Sequence, residues 1–211
     1  MTYVQLTALL QSYLENSETG FVADIPQIVQ QCESRIYNSV RTPDQRQTVT
    51  NTVAVQTFAA PAGFVESQGM YITVSGEPTP LLQKQASFIR TVFGTATGTP
   101  LYYALQTAGY ASTTVMLGPT PNATFTYRLD YFGNPTSIVT ASETWVSVHF
   151  PEALLYGSLL EGYIYMKGEQ DQLGVFKARF EEAIALLRRS AEGLALEDEY
   201  RSPPIMERVG V

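Results

Sequence analysis

The residue pattern of this chain changes twice along its length, and this limits the folds that are open to it. Between residues 51 and 140 only six residues are charged: Glu66, Glu77, Lys84, Arg90, Arg128 and Asp130. Thr, Tyr, Val, Gly and Pro dominate this stretch, which is the composition of strands and turns. On both sides of it, apolar residues recur at helical spacing instead. The sequence therefore predicts an α+β fold.

Two helices are predicted before the strand-like stretch. In the first, Thr2 suits the N-cap, and five apolar side chains share one face: Leu6, Leu9, Leu10, Tyr13 and Leu14. The segment NSETG at residues 16–20 should end this helix. The second should begin at Asp24, which forms a capping-box pattern with Gln27. It should end near Arg41, two residues before a proline.

Residues 148–189 predict two further helices that run antiparallel. Pro151 suits the first position of the first of them, and Lys167-Gly168 should end it. Four small residues in this helix would let neighbouring helices approach closely: Ala153, Gly157, Ser158 and Gly162. The next helix should start near Gln170. Its pattern stops after Ala195, where an extended tail is predicted.

The middle stretch predicts five strands and one short helix. The strands are expected at residues 48–58, 70–74, 101–106, 112–117 and 123–132, and the helix at 83–93. We predict a helical bundle formed by the N- and C-terminal helices, with an inserted antiparallel β module and an extended C-terminal tail. The expected divisions are 1–44 (N-terminal helices), 45–140 (β module), 141–195 (C-terminal helices) and 196–211 (tail).

The charge balance restricts the class of partner. The chain has 211 residues, of which 20 are acidic and 13 basic, for a net charge of −7. Wrapping nucleic acid needs Lys and Arg to neutralise phosphates, so a DNA-wrapping role is disfavoured, whereas a surface that DNA slides past is compatible. The single cysteine excludes an internal disulfide. Neither a signal peptide nor a transmembrane helix is expected.

Residues that could carry catalysis or hold a metal are sparse. His149 is the only histidine, and we interpret it as structural. Cys32 lies on the apolar face of the second helix, as a buried small hydrophobe would. No serine lies in a G-x-S-x-G elbow, and the glycine-rich residues 94–100 lack the lysine of a P-loop. We expect no enzyme, cofactor or metal, and keep an unrecognised hydrolase as the weaker alternative.

Thirteen tyrosines are many for a chain of this length. Those in strands could pack across strands with the hydroxyl at the surface, or they could form an interface, where tyrosine is enriched. The candidates for an interface are Tyr102, Tyr103, Tyr110, Tyr127 and Tyr131. A tail-fibre or baseplate component that binds a receptor or glycan through this face is an alternative function.

Three stretches, spanning roughly residues 20–192, occur in a characteristic order. The first carries Ile25, Pro26, Glu33, Arg35, Ile36 and Arg41 in the second helix. The second is TGTPLYYAL…LGPTPNATFTYRLDYF (97–132), and the third is FPEALLYGSLLEGYIYM…FKARFEEAIALLR. Together they resemble the second helix, β module and closing helix pair of the head-to-tail adaptor (connector) proteins of tailed bacteriophages. The closer resemblance is to adaptors of short-tailed phages, including those called tail tubular protein A.

The resemblance implies a structural protein in the virion neck, between head and tail, that is made in the host cytoplasm. Such adaptors form a ring, typically twelvefold, and line the DNA channel. The implied partners are the portal protein, the downstream tail (nozzle) protein and further copies of the chain, with no membrane. An acidic lining would let DNA pass without specific binding.

The resemblance also implies roles for particular residues. The segment from Glu197 to Val211 would dock on the portal, so that its deletion should leave the fold intact and abolish docking. The docking residues would be Tyr200, Pro203, Pro204, Ile205, Met206 and Val209. The closing helix pair would pack against neighbouring subunits through Leu155, Leu159, Phe176 and Phe180. The tyrosine-bearing strands would face the next tail component.

Overall fold

The computed structural model describes residues 1–108 and 112–200. The chain forms two compact units, which we call the helical unit (Met1–Pro43 with Thr136–Val211) and the β unit (Asp44–Pro135). The sequence predicts these divisions at 44/45 and 140/141. The presence of both helices and strands confirms the predicted α+β class.

The described residues contain seven α-helices and nine strands. The helices are α1 (Tyr3–Tyr13), α2 (Thr19–Ser39), α3 (Ala86–Phe93), α4 (Ile138–Ala141), α5 (Trp145–His149), α6 (Pro151–Tyr165) and α7 (Gln170–Tyr200). The strands are β1 (Arg46–Val53), β2 (Thr57–Ala59), β3 (Phe64–Val74), β4 (Glu77–Gln83), β5 (Thr97–Gly98), β6 (Tyr102–Ala108), β7 (Ser112–Gly118), β8 (Thr120–Pro121) and β9 (Phe125–Gly133).

The starts of the first two helices differ in how well the sequence predicts them. Thr2 caps α1 as expected, and Gln5 completes a capping box with it. The predicted start of α2 at Asp24 is wrong, because this helix begins at Thr19 and contains Pro26. Asp24 accepts a hydrogen bond of 2.7 Å from the Tyr165 hydroxyl instead of capping the helix.

Helix α6 lies at the centre of the helical unit and packs against α1, α2, α5 and α7. The prediction that its small residues permit close approach is confirmed. A Cβ on Gly157 would overlap Cys32 Sγ of α2, and one on Gly162 would lie 2.8 Å from Leu14 Cδ1. The shared core also includes Leu6 and Ile25. Residues from both ends of the chain therefore build one hydrophobic core.

Helix α7 extends further than the sequence suggests. It continues to Tyr200, so the predicted start of an extended tail at residue 196 is wrong. Residues 191–200 are rich in Ala, Leu and Glu, which favour helix even without an apolar stripe. Within residues 1–108 and 112–200, no helix combines the length and apolarity needed to cross a lipid bilayer.

The β unit is built on one seven-stranded sheet with the order β1-β9-β3-β4-β6-β7-β2, and β5 pairs separately with β8. The prediction of an antiparallel module needs correction, because β4 pairs in parallel with β6 and β5 in parallel with β8. A parallel pair requires a crossover connection, and α3 provides it between β4 and β6. Helix α3 itself confirms the short helix expected at residues 83–93.

The two faces of the sheet are covered differently. One face holds the core of the β unit, which includes Met70, Leu117 and Leu129. On the other face α3 covers part of β6 and β7, where Ile89 packs against Ala104 and Met116. Tight packing there requires a glycine at residue 118, since a Cβ would lie 2.7 Å from Ile89 Cγ2.

Candidate assembly surfaces

Glu33, one of the residues that carry the family resemblance, is buried in the helical unit. One of its carboxylate oxygens accepts a 2.8 Å hydrogen bond from the backbone N–H of Ile138, the first residue of α4. The contact ties α2 to a helix that lies more than a hundred residues later in the chain. Glu33 is therefore a structural residue.

Arg35 and Ile36 also act within the helical unit. The Arg35 guanidinium lies 2.6 Å from the Glu161 carboxylate of α6, and the Glu161 side chain is mostly buried. Ile36 is fully enclosed in the core. The Glu-x-Arg-Ile pattern thus connects α2 to both α4 and α6.

Cys32 lies between α2 and α6, where its thiol contacts the Leu154 carbonyl oxygen at 3.6 Å. Its side chain is completely buried, as the sequence predicts. Burial raises the pKa of the Cys32 thiol to about 12, because the thiolate would be formed away from water. This environment is the opposite of that of a reactive cysteine.

We expect Cys32 to resist alkylation in the folded protein. At pH 8 the thiol remains protonated and enclosed, so iodoacetamide should modify it at least about a hundredfold more slowly than in urea. Mass spectrometry of the intact chain after timed quenching measures both rates. Rapid modification of the native chain would show that the α2–α6 contact opens readily.

His149, the single histidine, packs against an aromatic neighbour. His149 ends α5, and its ring lies 5.1 Å from the Trp145 ring, centroid to centroid. No group of three His, Cys, Asp or Glu side chains in the described ranges is arranged to hold a metal ion. His149 thus packs locally, as the sequence suggests.

A groove of about 380 Å³ lies on the surface of the β unit, along β1, β9, β3 and β4. Its ionic side chains are already paired, since Arg128 Nε lies 2.9 Å from Asp130 Oδ1. Thr48 donates a further hydrogen bond of 2.6 Å to the same carboxylate oxygen. The arrangement stabilises the sheet surface and leaves no unpaired carboxylate in the groove.

The predicted subunit contacts on the closing helices need correction. Leu159 is 0% exposed and Phe180 7% exposed, because both lie in the core of their own unit. Both side chains therefore contribute to the interior of their own unit and not to its exposed surface. Leu155 and Phe176 are only partly buried against that core, so a subunit contact through them stays a prediction.

The predicted tyrosine interface also needs correction. Tyr103, Tyr127 and Tyr131 lie in the core of the β unit, with exposures of 3%, 6% and 5%. The Tyr131 hydroxyl donates a 2.9 Å hydrogen bond to the side chain of Gln47 within the same unit. Tyr102 is half-buried beside Phe88 and Phe93. Packing within the core of the β unit is therefore observed for Tyr103, Tyr127 and Tyr131, whereas Tyr102 packs against α3. Tyr110 lies outside the described residues.

The predicted portal-docking residues fall at the end of the chain. Tyr200 is the last residue of α7. The other five lie outside the described residues: Pro203, Pro204, Ile205, Met206 and Val209. Their docking role stays a prediction.

An exposed surface that the sequence analysis missed lies on the β unit, which we call the basic patch (Leu82, Lys84, Phe88 and Leu101). Its apolar members are exposed, and the backbone N–H of Leu82 donates to the Leu101 carbonyl at 3.1 Å. No acidic residue occurs between Glu77 and Asp130. That gap, together with Lys84 four residues before Phe88, was the available signal in the sequence.

A second missed surface lies at one end of the helical unit, where the α1–α2 loop meets the α6–α7 loop. Asn16 Nδ2 lies 3.2 Å from Met166 Sδ and joins the two loops. Five exposed carboxylates belong to this end: Glu15, Glu18, Asp24, Glu169 and Asp171. We call these five residues the acidic end. The sequence places them far apart, so only the packing of the helices reveals the cluster.

Comparison with known proteins agrees with the resemblance seen in the sequence. No curated protein is similar enough in sequence to count as a match. A solved structure described as "Neck of empty GTA particle computed with C6 symmetry" covers 77% of this chain and 78% of its own chain, with 11% identity and a TM-score of 0.28. A family model described as SU10 adaptor protein matches residues 1–205. Because this match spans nearly the whole sequence, the chain belongs to the SU10 adaptor protein family.

Proposed function

We propose that the chain assembles into a ring that joins the portal to the tail and surrounds the channel through which DNA leaves the head. The observation that carries this proposal is the family match over residues 1–205. As a member of this family, the chain is a structural head-to-tail adaptor of the virion, in the neck between head and tail. It acts by binding its neighbours and not by turning over a substrate.

The core of the helical unit favours a role for its helices as the wall of the ring. Side chains from α1, α2, α6 and α7 share this core, and we propose that the four helices form a bundle. Glycines at 157 and 162 allow the short separations that make such a bundle rigid. Rigid bundles side by side would form the wall of the ring, with twelve copies as the expected number.

The distribution of charge supports an inert DNA channel. The helical unit holds 16 of the 20 acidic residues and nine of the 13 basic ones, so it carries the entire excess of negative charge. The β unit has four of each. We propose that the helical unit lines the channel, because negative charge there would repel phosphates and keep DNA mobile.

The burial of three tyrosines weakens the receptor- or glycan-binding alternative. That alternative needs an exposed aromatic face, whereas Tyr103, Tyr127 and Tyr131 fill the interior of the β unit.

Negative-stain imaging of the purified chain, alone and mixed with the portal ring of the same virion, tests the adaptor function. A ring that caps the portal is expected. A monomer that does not bind the portal would contradict the proposal.

Removal of residues 201–211 should separate folding from docking. Because α7 continues to Tyr200, this deletion spares the helix and removes the Pro-Pro-Ile-Met segment. The melting temperature should be unchanged, and portal binding should fall by at least about a hundredfold, as expected when apolar anchors are lost. Sedimentation of the truncated chain with portal rings measures binding.

A substitution variant serves as the matched control for this deletion. Ile205→Ser with Met206→Ser keeps the length and charge of the segment and removes only its apolar pair. It should bind nearly as weakly as the truncated chain. Docking of the truncated chain at full strength would show that the portal is held by another surface.

A further inference from the structure

Two helices of the helical unit carry exposed apolar faces, and we propose that these faces meet between neighbouring copies of this chain. The α1 face consists of Val4, Ala8, Leu9 and Tyr13. The α7 face consists of Val175, Ala178, Ala185 and Leu186. The inference rests on the proposed function, because it names a contact that would close the adaptor ring.

The α1 face is exposed although it carries no charge. Val4 is 76% exposed, Leu9 36% and Tyr13 52%. Ala8 is exposed as well. The first charged side chain of the sequence is Glu15, so α1 contains none. A surface helix normally carries charged and polar residues opposite the core, whereas an uncharged and largely apolar face is typical of a surface that is covered in an assembly.

The α7 face is apolar at both ends and has no net charge. Val175 is 54% exposed and Leu186 51%, and both alanines of this face are exposed as well. At 1.5 Å per residue, the α7 face extends over about 16 Å and the α1 face over about 14 Å. Glu182 and Arg189, which share the α7 side of the contact, are opposite in sign, and Glu182 Oε2 lies 3.4 Å from Arg179 Nη1. An uncharged partner therefore fits this face without bringing like charges together.

Helix α6 lies between α1 and α7 within one copy, and both pack against it. Gly157 of α6 faces Phe180 of α7, whereas Gly162 faces Leu14, the C-cap of α1. These glycines are five residues apart, so on a helix of 3.6 residues per turn their directions differ by about 140°. Helices α1 and α7 therefore flank α6 on different sides. Their exposed faces are available to two different neighbours.

A second copy of this chain is the partner that fits best. A closed ring needs two different surfaces on every copy, and the α1 face of one copy against the α7 face of the next provides them. Contact between two α1 faces would occupy the same surface on both copies and end at a dimer. Other helices offer less: in the described part of the helical unit, α2 exposes no large apolar side chain, and α6 exposes Ile164 and Tyr165 only in its last turn.

Cross-linking tests the contact, because Cys32 is the single cysteine and is enclosed in the core. Ala8→Cys places a thiol on the α1 face, and Ala178→Cys places one on the α7 face. A chain that carries both should form a covalent ladder of oligomers when a short bismaleimide is added to assembled rings, on portal rings if the wild type assembles only there. Denaturing gel electrophoresis after quenching gives the readout.

The single variants are the matched controls. Ala8→Cys or Ala178→Cys alone should give no covalent product, and an equimolar mixture of the two should give covalent dimers and nothing larger, because each copy then has one thiol. A second double variant combines Ala8→Cys with Ala185→Cys, so that the other end of the α7 face is sampled as well.

Charged substitutions on the α1 face provide an independent readout. Val4→Glu with Ala8→Glu should need a concentration at least about tenfold higher than the wild type to form rings, since the carboxylates would be buried without partners. Gln30→Glu with Gln31→Glu, at exposed positions of α2, changes the net charge equally and should leave ring formation unchanged. Circular dichroism establishes that each variant is folded, and sedimentation velocity measures assembly.

Two results would overturn this inference alone. Covalent dimers of Ala8→Cys by itself would show that two α1 faces meet. Rings in which neither double cysteine variant is cross-linked, and which tolerate the two carboxylates, would show that the α1 face is not covered by a neighbour. A wild-type chain that forms no ring, even with its portal, would contradict the proposed function as well.

Discussion

Replacing Gly157 by alanine should destabilise the helical unit more than any other single methyl group added to the described glycines of α6 and α7. The new Cβ would overlap Cys32 Sγ and lie 2.7 Å from Phe180 Cε2. Both neighbours are buried, so the helices must separate or the ring must leave its position. We expect the free energy of unfolding to fall by about 2–3 kcal/mol, the usual cost of overfilling a core. Urea denaturation followed by circular dichroism measures it.

Gly174 in α7 is the matched control, because a Cβ added there meets nothing within 4 Å. Gly174→Ala should stabilise the protein by about 0.5–1 kcal/mol, as alanine does inside an exposed helix. Combining Gly157→Ala with Cys32→Ala should recover part of the loss, since the sulfur is removed. Strictly additive effects in this cycle would show that Cys32 is not the obstructing neighbour.

Replacing Glu33 by alanine should have a comparable effect through a different cause. The backbone N–H of Ile138 would lose its acceptor while remaining buried, and a cavity would form on α2. An unsatisfied buried donor and a small cavity together cost about 2–3 kcal/mol. Thermal denaturation of the variant should show a clear fall in melting temperature.

Two further substitutions separate the hydrogen bond from the loss of volume. Glu33→Gln keeps an oxygen that can accept from Ile138, so it should retain most of the stability. Gln31→Ala, at an exposed position of the same helix, should change the free energy of unfolding by less than about 0.5 kcal/mol. Equal stability of Glu33→Ala and the wild type would mean that the α2–α4 contact contributes little.

Helices were easier to predict than strands because their signals are local. Pro151 at the start of α6 and the break before Gln170 follow from cap chemistry alone. Strand β4 escaped detection because it contains Pro78 and Pro80, which usually exclude a central strand. It pairs with β3 along residues 77–81, whereas its pairing with β6 is limited to Leu82 and Gln83. Strand β4 therefore pairs with β6, its second neighbouring strand, only after the two prolines.

The candidate contact residues were harder to predict, since an apolar side chain looks the same whether it faces a core or a neighbour. Leu159 and Phe180 lie on an apolar stripe, and that stripe turned out to face the interior. The strand tyrosines were ambiguous for the same reason. The acidic end contains both Glu15 and Asp171, which are far apart in the sequence. No local pattern therefore indicates that these two residues are close.

The β unit enters and leaves the chain at the same place. Its first strand, β1, and its last strand, β9, are antiparallel neighbours, and Arg46 lies opposite Phe132 in their register. The two points where this unit joins the rest of the chain are thus close together, so a short linker could replace it at little entropic cost. Evolution can consequently exchange, enlarge or shorten such an insert without rebuilding the helices.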